Sequence, residues 1–199
     1  MLKRTKIPTK EEYKNTISQL TENKNLRALI AVRMGCELGL TRIEIVNARV
    51  SDLDRINKRG LWIEVAKKVR RGKKKIKEVW IPNFQMRQRE IPVNTSLYQL
   101  LISYIDKNQV YILKREKGDI NKPFTTRYIN TIYDEAKIPW ASHKSRHFFK
   151  NCVKDWMRSS RQIDDELIKD LMGHQKDQTE QYGSLSWDYK REVIDKVFY

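Results

Sequence analysis

Ser142-His143-Lys144-Ser145-Arg146-His147, then Gly173-His174, then Thr179-Glu180-Gln181-Tyr182: three short stretches follow one another between positions 142 and 182. They carry four reactive side chains in order, His143, Arg146, His174 and Tyr182. Residues three apart share one face of a helix, so His143 and Arg146 point the same way. Lys150 extends that face, and Phe149, Val153 and Trp156 fall on the side that a core would take. Ser142 is placed to cap the helix, and a helix N-terminus favours phosphate. Ile163, Leu167 and Leu171 mark a next helix, which Gly173 closes. His174 then leaves a rigid helix end, a good mount for an imidazole that faces a phosphate.

The composition suits such a ligand. The chain has 199 residues, and Lys+Arg less Asp+Glu is 41 − 25 = +16. A surplus of this size favours a polyanionic partner over a merely solvated surface. At 39% hydrophobic residues, a packed core is still available. Cys36 and Cys152 each sit inside an apolar helix-like run, which predicts buried thiols rather than a disulfide. Three histidines without a Cys-x-x-Cys pair argue against a zinc site. No apolar run reaches membrane-spanning length, and Met1 to Lys6 lacks an apolar signal core, so the expectation is a cytosolic protein with no membrane contact. No repeat, low-complexity linker or composition break divides the chain, which reads as one domain.

From the N-terminus, Thr9 to Glu12 is a capping box that opens a helix with Tyr13, Ile17 and Leu20 inward. Lys24 to Leu38 predicts a second helix, with Leu26, Leu29, Ile30 and Met34 as its apolar stripe and Gly39 as its stop. Thr41 and Glu44 form a second capping box, which places Arg42 in a first helical turn. Leu61 to Ala66 alternates as a strand, and Ile76 to Ile81 reads as its partner. Between them lies a basic run containing Lys67, Lys68, Arg70, Arg71, Lys73, Lys74 and Lys75, expected as the connecting turn. Such mobile point charges suit phosphate contact without base readout. Two Ile-Pro pairs, at 81–82 and 91–92, compete for the sheet end. Asn94 or Thr95 caps a helix through Asp106, Tyr111 to Leu113 is a short buried segment, and Lys114 to Lys122 is a polar loop. Thr125 or Thr126 caps a helix to Ala136 whose exposed Arg127 and Asn130 suit either a DNA groove or plain solvent. Ser186 to Val197 is a last amphipathic helix, able to pack on its own domain or on a neighbour.

His-x-x-Arg, Gly-His and a following tyrosine in this order resemble the catalytic half of the tyrosine recombinases, the phage-integrase family. The resemblance runs from Pro8 to the terminal helix. Gly39-Leu40-Thr41-Arg42-Ile43-Glu44 resembles the family's first catalytic box, where an arginine stands three positions before the glutamate. Here that position holds Thr41, and Arg42 lies one residue on, about 100° around a helix. The family also spaces its Gly-His and its tyrosine one residue further apart than His174 and Tyr182. Tyr189 is an alternative nucleophile, although its spacing from Val193 and Val197 suits a packed helix.

The resemblance implies an α+β fold, mostly helical with a small antiparallel β-sheet, as a single catalytic domain over 1–199. The N-terminal helical domain with which such recombinases clamp DNA from the other side is not among these residues. Implied as well is DNA strand cleavage and rejoining through a 3′-phosphotyrosyl intermediate, on double-stranded DNA and in a tetramer, without metal or other cofactor. Tyr182 would be the nucleophile, assisted by His143. Arg146, His174 and Arg42 would bind the phosphate, while Lys67, with Lys73 and Lys74 as rivals, would protonate the leaving 5′ oxygen. Lys144, Lys150 and Arg127, together with the basic run, would hold the DNA backbone. The setting would be the cytoplasm of a prokaryotic cell, or its virus or plasmid. Two other readings stay open: a recombinase-like DNA-binding module disarmed by the shifted arginine, and a type IB topoisomerase-like relaxase.

Overall fold

The computed structural model describes residues 6–76, 79–115, 119, 121–161, 164–173 and 185–198, with 65–87 described by backbone alone. Helix α1 (Lys10–Glu22) starts at the Thr9 capping box, closed by the Glu12 amide donating to Thr9 Oγ1 at 3.1 Å and the Thr9 amide to Glu12 at 2.7 Å. Helix α2 (Leu26–Glu37) follows, capped by Asn25. It is two residues shorter at its start than the sequence predicts, because Lys24 is in the left-handed conformation. Leu29, Ile30 and Met34 are buried as expected, but Leu26 lies in the first turn at 44% exposure and is not part of the stripe. Helices α3 (Arg42–Asn47), α4 (Thr95–Tyr104), α5 (Thr126–Glu135), α6 (Ser142–Ser159), α7 (Asp165–Met172) and α8 (Trp187–Val197) complete the α-helical set among the described residues, beside one 3-10 turn at Val50–Asp52. With one two-stranded antiparallel sheet the fold is α+β and mostly helical.

Two glycines fix how α2 meets α6. At Gly35 an added Cβ would lie 2.9 Å from the Ser145 Cβ, so the two helices approach as closely as a residue without a side chain allows. Ser145 is itself buried and takes hydrogen bonds from Trp140 Nε1 at 3.0 Å and to or from the Tyr133 hydroxyl at 2.9 Å. At Gly39 the backbone is left-handed (φ +61°), and a Cβ there would meet the Phe149 ring at 2.5 Å. A helix stop of this kind suits glycine. Together the contacts seat the α2–α3 turn on the first turns of α6, and so place Gly39 beside Arg146. Phe149, Cys152 and Val153 continue that buried face, and both cysteines are buried and unbridged.

The α6 start departs from expectation. Ala141 is the N-cap and Ser142 is already helical, its hydroxyl donating to Asn130 Oδ1 at 2.7 Å. That bond ties α6 to α5 and takes Ser142 away from capping.

The sheet is longer than the sequence suggests. Strand β1 (Gly60–Ile76) pairs with β2 (Val79–Pro92), so Leu61 faces Ile91 and Ile63 faces Arg89. The partner of Leu61–Ala66 is therefore Met86–Ile91, not Ile76–Ile81. The basic run is no turn either: Lys67 to Lys75 continues β1, with a register irregularity between Lys68 and Lys73. The base of this hairpin rests on the core, where Leu61, Ile63 and Ile91 are buried. Of the two Ile-Pro pairs, Ile91-Pro92 ends the sheet.

Past the sheet, Asn94 caps α4, which ends at Tyr104 rather than Asp106, and Tyr111 to Leu113 is buried as read from sequence. A polar network joins α1, α2 and α4: Glu37 accepts from the Tyr13 hydroxyl, from Asn94 and from Arg33 at 2.6 and 3.0 Å. Helix α8 packs on its own domain. Val193 and Ile194 are buried, Phe198 stacks on Phe149 at 5.9 Å, and Arg59 grips Asp195 through two hydrogen bonds of 3.0 and 3.1 Å.

Candidate active site

Arg146 lies at the meeting point of three chain segments. Its Nη1 donates to the Gly39 carbonyl and approaches Glu44 Oε2 at 3.5 Å, and its Nη2 donates to the Met172 carbonyl at 2.6 Å. The α2–α3 turn, the first residues of α3 and the end of α7 are thus held by one guanidinium, a planar fork suited to several acceptors at once. Its side chain keeps 16% exposure. Gly173 follows at φ +60°, the left-handed stop expected for α7. His174 and Tyr182, next in sequence, lie outside the described residues.

Glu44 is the acidic centre. Its Oε2 accepts from the Thr41 amide at 2.6 Å and lies 3.4 Å from Arg89 Nη2 as well as 3.5 Å from Arg146. Burial opposes its ionisation, but Arg89, Arg146 and the Thr41 amide outweigh burial and hold its carboxyl below the ordinary carboxylate range. The capping box predicted at Thr41 is thus present, with the carboxylate serving helix start and arginines together.

Arg89 escaped the sequence reading. It projects from β2, its side chain is 6% exposed, and Nη1 donates to the Leu171 carbonyl. Alternation along β2 carried the signal: Ile91 faces the core, and a residue two positions away faces the same side of a strand.

Arg42 is in the first turn of α3, as predicted, and is exposed. It lies close enough to His143 to act on its charge. Partial burial, then Lys144, His147 and Arg42, hold the His143 imidazole below its ordinary pKa, so its neutral, proton-accepting form prevails at neutral pH. His143 is exposed on the face of α6 that carries Arg146, with the His147 ring 6.4 Å away. Lys144 and Lys150 are half-buried and Arg127 is exposed. The side chains of Lys67, Lys68, Arg70, Arg71, Lys73, Lys74 and Lys75 are outside the described set; in backbone register Lys67 stands opposite Gln85.

Tyr189 packs partly against the core at the start of α8, and burial, with Asp164 and Glu192 nearby, raises its phenol pKa. That disfavours the phenolate a nucleophile needs. Among the described residues no group of three or more His, Cys, Asp or Glu side chains could hold a metal, and no helix is long and apolar enough to cross a membrane.

The fold has counterparts among solved structures. The fold is that of the tyrosine-recombinase catalytic domain. The integrase of mycobacterium phage Brujita superposes with a TM-score of 0.63 at 14% identity, over 97% of this chain and 59% of that one. The XerA recombinase gives 0.56 at 20% identity, over 96% and 64%. The Tn1549 transposon integrase, solved with transposon right end DNA, gives 0.54 at 16% identity, over 95% and 65%. The chain therefore spans about three-fifths of the length of these structures. No family model and no curated protein matches the sequence.

Proposed function

We propose that the chain is the catalytic domain of a site-specific DNA recombinase or integrase, which cleaves and rejoins strands through a 3′-phosphotyrosyl intermediate. The observation that carries this reading is the convergence of Arg146, Glu44 and the end of α7 on one point, immediately before Gly173-His174. A guanidinium there can neutralise the charge that gathers on the non-bridging oxygens in the transition state. His143, neutral at pH 7, assists deprotonation of Tyr182. The Tyr182 oxygen attacks phosphorus and the 5′ oxygen departs, protonated by Lys67 or another hairpin lysine. Attack by that hydroxyl on the phosphotyrosine reverses the step and conserves the bond energy for religation.

Double-stranded DNA is the proposed substrate, with Arg42, Lys144, Lys150, Arg127 and the basic hairpin on its backbone. Assembly into a tetramer and a cytoplasmic setting belong to the same proposal. Solved lambda integrase, of like fold, forms a tetramer on a Holliday junction. A second reading, a DNA-binding module without chemistry, is favoured by one observation: Thr41 stands where such sites carry an arginine.

Incubation with nicked duplexes drawn from DNA flanking the gene separates the two. The expected result is a protein–DNA adduct that survives a denaturing gel and is absent from Tyr182→Phe, while duplex affinity stays within about threefold, since one hydroxyl is lost. Tight binding with no adduct on any duplex supports the second reading.

A further inference from the structure

We infer, resting on the recombinase reading above, that Arg89 is a positioning residue for the phosphate site and restores the charge that Thr41 leaves out. Four observations point this way. Arg89 and Arg146 lie within 3.5 Å of the same oxygen, Glu44 Oε2, although they come from β2 and α6. They take successive carbonyls at the end of α7: Arg89 holds Leu171 and Arg146 holds Met172. These are last-turn carbonyls that the helix itself leaves open, where a cation is favoured. The Arg89 stem also crosses the stop of α7 so closely that a Cβ on Gly173 would lie 2.5 Å from Arg89 Cδ. Finally, Arg42 is exposed beside His143, so Glu44 is balanced from within by Arg89 and Arg146.

Charge makes the consequence concrete. Glu44 against Arg146 alone would be a neutral pair and would offer a phosphate little net attraction. With Arg89 the cluster carries one positive charge in excess. Arg89 also holds Glu44 Oε2 from β2, while Arg146 holds the same oxygen from α6. Arg89 need not touch the phosphate. It acts through Glu44 and through the α7 end that leads into Gly173-His174.

A purely structural ion pair predicts something different, and the test uses that difference. In the full chain, adduct formation on saturating nicked duplex is timed alongside duplex affinity and Tm. Arg89→Gln is expected to slow adduct formation by about 100-fold with affinity within about threefold. Adding Thr41→Arg is expected to recover about tenfold or more, because it returns the missing charge to the same cluster. Glu44→Gln and Arg89→Gln should be non-additive, as for residues that act as one unit. If Arg89→Gln does not fold, Arg89→Lys takes its place; it keeps the charge but cannot reach Glu44 and Leu171 together, and a loss of about tenfold, again recovered by Thr41→Arg, is expected. Wild-type rates in the Arg89 variants overturn the inference, as does a loss that parallels Tm and affinity and that Thr41→Arg leaves unchanged. An inert wild-type chain overturns the recombinase reading itself, and this inference with it.

Discussion

The two basic regions of this chain handle charge in opposite ways. Around Glu44, buried Arg89 and half-buried Arg146 come from β2 and α6, and each is aimed by the same carboxylate and by a carbonyl at the end of α7. Along the β1–β2 hairpin, Lys67 to Lys75 form a run rich in cations on one strand, paired in backbone register with β2. Burial makes the first region geometrically strict and costly to disturb. On the proposed DNA backbone the second would be tolerant, since phosphates are evenly spaced and any one cation can be replaced by its neighbour. The proposed function puts chemistry in the first region and affinity in the second.

Arg146→Gln gives the largest contrast. It removes the fork from the cluster, so the cleavage rate should fall by about 100- to 1000-fold on saturating DNA with little change in affinity. An equal loss in rate and affinity would place Arg146 among the general backbone contacts.

Glu44→Ala should come next, and its effect is on the fold. Leaving buried Arg89 and half-buried Arg146 without their anion costs roughly 3–5 kcal/mol, to be read from denaturant unfolding. Acid sharpens the same point. A carboxyl whose folded pKa is depressed contributes stability that is fully present above its unfolded value, about 4.3, and is lost as pH falls through the folded value. The advantage of wild type over Glu44→Gln should therefore shrink below about pH 4.3.

Substituting Lys73, Lys74 and Lys75 together by Gln tests the hairpin. Affinity should weaken at low salt, and the slope of log K against log salt should flatten by about 0.9 for each phosphate that is no longer neutralised. Cleavage at saturation should hold. A collapse of the saturated rate would move one of these lysines into the chemistry.

The smallest effect concerns Arg42. Its charge helps to depress the His143 pKa, so Arg42→Gln should shift the His143 titration, followed by NMR, upward. No shift would separate the two residues.

What sequence reveals follows from what each side chain faces. Helices α1 and α2, the buried face of α6 and the Gly173 stop were legible, because packing against one core imposes a helical period and each cap needs a particular residue. The hairpin was misread. The apolar residues between Ile76 and Ile81 alternate as an inner strand would, while the inner pairing runs from Met86 to Ile91. Ser142 looked like a cap because its type suits one, and only the position of Asn130 shows where its hydroxyl goes. Arg89 was overlooked because a charged residue is read as outward. The inward place it takes becomes acceptable only once Glu44 and the α7 end, distant in sequence, are brought beside it.

The central claim, covalent chemistry at Tyr182, is tested most directly by locating the bond. Adduct from a nicked duplex is digested with nuclease and trypsin, and the peptide 177–190, which holds both Tyr182 and Tyr189, is fragmented. The expected product carries a nucleotide remnant linked through phosphate to Tyr182, with Tyr189 unmodified. A remnant on Tyr189, or on any other residue, would contradict that claim.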